Sequence, residues 1–197
     1  MKLQRSRKFA TVIPGTLALL AAAMSAANEE NANEENTIPF EYRYAAINAG
    51  VPYKLLYAIA IAESDNPRDP NIAPWPWVLN IGGEPHWFET RQEAQTALAS
   101  ALAAGRTNID ICASQVNFRY NGHLMPDLAN AFDTESCLLA ASAVLLRELD
   151  YCEHQLDTLD WWCAVERYHS PGQSEAQRER AVAYADRVRQ IYARLTP

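Results

Sequence analysis

Between Tyr53 and Ala62 the chain reads YKLLYAIAIA, apolar around nearly the whole circumference of a helix. A helix without a polar face has to be enclosed by other elements. The segment therefore predicts a mainly helical domain wrapped around one central helix, opened by Pro52 at the position where proline suits a first turn. That helix runs directly into Glu63-Ser64-Asp65-Asn66-Pro67, so a carboxylate is delivered to the end of a buried element. Lost solvation and the helix's carbonyl end both disfavour negative charge there, and the pKa of Glu63 is expected to rise toward the range of a general acid. The plainer alternative is that Glu63 turns out to solvent as the helix stops before Pro67.

Other helix signals are local. Pro39 opens a short helix to Ala49, and Thr90-Arg91-Gln92-Glu93 is a capping box for a run that stops at Gly105. Asp133 or Thr134 caps a helix over Glu135 to Asp150, whose Leu138, Leu139, Val144, Leu145 and Leu149 recur at helical spacing; Ser174-Glu175-Ala176-Gln177 opens the last. The stretch Pro70 to Phe88, with four prolines, two glycines and three tryptophans, fits neither period and reads as a loop or small irregular hairpin. The fold class expected is mainly α: one helical domain over 38–197 with a small irregular or β-containing loop region.

Four basic residues, Lys2, Arg5, Arg7 and Lys8, precede an uncharged run from Phe9 to Ala27 that ends in small residues. Residues 1–27 read as a secretory leader, with an uncleaved membrane anchor as the alternative; membrane contact is expected only if the leader is retained. Residues 28–37, which include NEENANEEN, read as a disordered acidic tether. Without the leader the chain has 13 basic and 24 acidic residues, net -11, an unfavourable balance for a nucleic-acid partner. Four cysteines behind an export signal point to two disulfides in an oxidising, periplasmic compartment. Three pairings exist. The turn after the long helix favours Cys152 with Cys163, leaving Cys112 with Cys137. The histidines are scattered and no C-x-x-C or H-x-x-x-H spacing occurs, so no metal site is expected; the functional reading below implies no organic cofactor either.

Three ordered segments carry a resemblance: Ile61-Ala62-Glu63-Ser64 at the end of an apolar helix, Cys112-Ala113-Ser114-Gln115-Val116-Asn117, and Ala164-Val165-Glu166-Arg167-Tyr168-His169. Together they resemble the Glu-Ser helix end, the Gly-Leu-Met-Gln turn with its following aliphatic residue and Asn, and the Ala-x-x-x-Tyr-Asn helix end of the soluble lytic transglycosylases, lysozyme-like enzymes that cut peptidoglycan. Cys112, Ala113 and Ser114 stand where that family has Gly, Leu and Met, and His169 where it has Asn. Trp75-Pro76-Trp77-Val78-Leu79-Asn80 and Tyr168-His169-Ser170-Pro171 look like the branch found with conjugative elements and type IV secretion or pilus systems, which implies a secretion or conjugation complex as a partner.

The resemblance implies that Glu63 is the sole catalytic acid and base on a peptidoglycan glycan strand, with a 1,6-anhydro sugar as product. It implies further that Ser64 bonds near the acid or the sugar, that Gln115 and Asn117 contact substrate, and that Tyr168 fixes the acid, with His169 beside it. Trp75, Trp77 and Trp87 are candidates for stacking on sugar rings, Trp77 entering the site; packing beneath the loop is the alternative. Asp65, Asp110 and Glu166 read as solvated or helix-surface charges, although a second carboxylate in the site makes a hydrolytic muramidase the runner-up. The altered second motif suggests a rival of another class, a noncatalytic wall-binding assembly factor.

Overall fold

In the computed structural model, residues 38–67, 72–157 and 159–195 are described; the leader and the acidic tether lie outside the described residues. The elements are α1 (Phe40–Ala49), α2 (Tyr53–Ser64), β1 (Val78–Ile81), β2 (Glu84–Trp87), α3 (Arg91–Ala103), β3 (Ile109–Ile111), β4 (Val116–Asn117), α4 (Phe118–Asn121), α5 (Thr134–Leu156), α6 (Trp161–His169) and α7 (Glu175–Leu195). The architecture is mainly α with one small antiparallel sheet.

The apolar segment lies at the centre. Every residue from Leu55 to Ala62 is buried, because α1 and α7 both pack on α2 while α5 carries α1 and α6 on its flanks. Leu56 and Ile59 have no exposed surface, and cutting either back to Ala costs about 2–5 kcal/mol. Among the described residues no single helix is long and apolar enough to cross a membrane.

Helix starts follow their local chemistry. Thr90 and Glu93 form the reciprocal capping box of α3, and the Asp133 carboxylate accepts the Ser136 N–H at the head of α5. Helix α5 runs past the expected end at Asp150 to Leu156. Its buried stripe continues through Glu148 to Cys152, whose disulfide to Cys163 fastens it to α6. The second bridge, Cys112–Cys137, ties the β3–β4 turn to α5. The pairing is the one expected, and two disulfides belong to an oxidising, extracellular or periplasmic setting.

The Pro-rich stretch contains a true hairpin. Gly82 and Gly83, at φ +67° and +99°, supply the left-handed turn that joins β1 to β2. The sheet order is β2-β1-β3-β4, and its two faces differ. Leu79, Ile109, Ile111 and Val116 are buried in the core. Between them the register sets Asn80 beside Asp110 and Asp110 beside Asn117. Successive strand residues point to opposite faces, so a row of polar side chains crosses the sheet on the side away from the core.

Candidate functional site

From Leu55 to Ser64 one residue is only partly buried, and it is Glu63. It opens into a cleft of about 450 Å³, whose other walls are the polar row Asn80, Asp110 and Asn117, the turn residue Gln115, and Tyr168 and His169 at the end of α6. That volume lies within the roughly 300–1,000 Å³ usual for ligand clefts. Burial under these walls pushes the Glu63 pKa from 4.5 up to about 7, and the charge of Asp110 adds to the rise; Tyr184 and Arg187 pull the other way. A carboxyl that is half protonated at neutral pH can both give and take a proton within one turnover.

Ser64 has a different role from the one expected. The residue is 1% exposed, and its hydroxyl donates to the Ala60 carbonyl at 2.8 Å and accepts the Trp75 N–H at 2.9 Å. It fastens the Pro-rich segment to the end of α2 and does not line the cleft. Trp77 is corrected in the same way, being packed against the core. Val78 pairs with Trp87 across the hairpin, and strand alternation turns their neighbour Trp77 away. Trp87 is the indole that lines the cleft, with its Nε1–H donating to the Ser64 carbonyl at 3.3 Å.

Gln115 and Asn117 do line the cleft, each partly engaged elsewhere. The Gln115 Nε2 donates to the Cys112 carbonyl at 2.9 Å and closes its own turn. Asn117 donates from Nδ2 to Asp110 at 2.7 Å and caps α4 through the Tyr120 N–H, so it holds Asp110 in place. Cys112, standing where the resembled turn has glycine, lies at φ +64°. That left-handed conformation favours glycine, and here the bridge to Cys137 holds a cysteine in it.

Tyr168 donates its hydroxyl proton to the Ser114 carbonyl at 2.7 Å, pinning the turn to α6, and it lies close enough to Glu63 for the charge of that carboxyl to raise its own pKa. Tyr184 of α7 stands beside the acid as well. Its buried hydroxyl acts on the Glu63 carboxyl strongly enough to lower its pKa, yet falls short of full hydrogen-bond geometry. The His169 ring stacks on Tyr184 with centroids 4.4 Å apart. Burial, then Arg180 and Arg187, hold the His169 pKa below its usual value.

Sequence reasoning passed over Tyr184 because five arginines dominate the last helix, yet Ala181, Tyr184, Ala185 and Val188 form a buried stripe at helical spacing. Among the acidic candidates, Asp65 terminates α2 and Glu166 pairs with Arg189 at 3.8 Å; neither lines the cleft. Asp110 does, which corrects its reading as a plain surface charge. Burial raises its pKa while the Asn117 bond lowers it. Among the described residues no group of three or more His, Cys, Asp and Glu side chains is placed to hold a metal ion. Comparison with family models, curated proteins and solved structures found no match, so the chemistry of the cleft is read from its own geometry.

Proposed function

We propose that the chain is a peptidoglycan lytic transglycosylase of the periplasm, cutting the β-1,4 bond between N-acetylmuramic acid and N-acetylglucosamine. The observation that carries this reading is Glu63: the sole opening of a buried helix into a polar cleft, with a pKa of about 7. Protonated, it gives its proton to the glycosidic oxygen as the bond to the muramyl C1 breaks and the glucosamine 4-hydroxyl leaves. As carboxylate it then takes the proton of the muramyl 6-hydroxyl while that oxygen bonds to C1. The products are a 1,6-anhydro end and a free 4-hydroxyl end, with no water consumed. The segments that resemble the conjugation and secretion branch favour local opening of the wall for such an apparatus.

Asp110 favours a second reading. A hydrolytic muramidase needs another carboxylate in the cleft, as nucleophile or to activate water, and Asp110 lines it together with Glu63. Mass analysis of the muropeptides released from purified wall separates the two, since anhydro ends are lighter than reducing ends by one water. General acid catalysis contributes about 10²–10⁴-fold, so Glu63→Gln is expected to slow release by at least about a hundredfold. Wall binding with no release by either protein would refute both readings and leave the assembly-factor role.

A further inference from the structure

Two helices carry a charged cluster on another wall of the same cleft. Glu148 of α5 is 5% exposed. Arg167 of α6 neutralises it, donating from Nε to Oε2 at 3.0 Å with Nη2 2.9 Å from the same oxygen. The rest of Arg167 is committed as well: Nη1 donates to the Pro171 carbonyl at 3.3 Å, and the guanidinium lies 3.6 Å over the Tyr151 ring. One guanidinium balances one carboxylate. The chain nevertheless places a second, Arg147, against the other oxygen of Glu148, with Nε and Nη2 donating to Oε1 at 3.0 and 2.9 Å.

Arg147 therefore carries a surplus charge into the cleft. Its Nη1 donates to Asn121 at 2.8 Å, which together with the Glu148 bonds fixes the guanidinium plane. Of its five N–H groups three are thus used among the described residues, leaving one on each terminal nitrogen. Its side chain is 51% exposed, against 15% for Arg167, and both line the cleft with Glu63. A fixed guanidinium with two free N–H groups suits a planar carboxylate held by two prongs.

On a peptide-bearing strand the glycan itself offers no such group, because its sugars are N-acetylated and the muramyl lactyl carboxyl is consumed in the amide to the stem. The nearest negative charge is on the stem peptide. We infer that Arg147 is a specificity residue that recognises a stem-peptide carboxylate, so that the cleft prefers peptide-bearing strands. This rests on the glycan-strand reading of the cleft.

The test is calorimetric titration of full chain carrying Glu63→Gln, which binds without cutting, with two probes at pH 7. One is N-acetylglucosaminyl-N-acetylmuramyl-L-alanyl-D-glutamate γ-methylamide, the free acid with a single α-carboxylate; the other is its α-carboxamide, which carries no carboxylate. The free acid is expected to bind about tenfold more tightly, Arg147→Gln on the same background to abolish the difference, and Arg147→Lys, which keeps charge without the fork, to retain part of it. Equal affinity for the two probes, or a difference that survives Arg147→Gln, overturns the inference while leaving the glycan reading intact. Failure to bind either probe overturns both.

Discussion

Replacing Glu63 by Gln should stabilise the protein, and only above mildly acidic pH. Gln keeps the shape of the side chain and cannot ionise. In the folded chain the Glu63 pKa stands at about 7 against an ordinary 4.5. Below the ordinary value both states hold the proton and the carboxyl costs nothing. As pH rises through 4.5 the unfolded chain releases its proton while the folded chain keeps it, so stability falls until the folded form also ionises near 7, and stays lower above that. At about 1.4 kcal/mol per pH unit of displacement the full penalty is about 3 kcal/mol. Glu63→Gln is therefore expected to match the wild type at about pH 4 and exceed it by about 3 kcal/mol at about pH 8, which is roughly 6–12 °C in Tm for a domain of this size. Urea titrations of the oxidised proteins at pH 4, 6 and 8, followed by circular dichroism, measure the difference. A gap independent of pH, or a variant less stable than wild type at pH 8, would mean that Glu63 is solvated and the acid argument fails.

Four further outcomes concern the site and the bridge beside it. Asp110→Asn removes a charge that raises the Glu63 pKa, so the alkaline limb of kcat/KM should move to lower pH while anhydro products persist; loss of turnover by about a thousandfold would instead assign Asp110 the hydrolytic role. Tyr184→Phe removes a hydroxyl that lowers the same pKa, so that limb should move to higher pH with kcat reduced about tenfold, a pairing that a purely structural loss would not produce. Removing the Cys112–Cys137 bridge, with a sequence separation of 25, should cost about 3 kcal/mol. With Cys137→Ala as the common background, Cys112→Gly should be about 1 kcal/mol more stable than Cys112→Ala in denaturant titrations, because φ at this position is +64°.

Features governed by neighbouring residues were legible in advance. The capping box at Thr90, the prolines ahead of α1 and α2, and the apolar run of α2 each act over a turn or two of helix. The disulfides were legible for a similar reason, since the short connection between Cys152 and Cys163 limits where those thiols can go. Side-chain direction within the Pro-rich hairpin was not. Strands of two to four residues are too short to display a period, so nothing local turned Trp87 inward and Trp77 away. Asp110 joined the cleft through its pairing with Asn80, a register set by distant strands. Tyr184 was hidden because the stripe that contains it is narrow and flanked by arginines.

The proton at position 63 depends on a helix near the other end of the chain. Helix α7 packs on the helix that carries that carboxyl and sets the buried Tyr184 against it, so the surroundings that tune this one proton are complete only when two segments far apart in sequence have met.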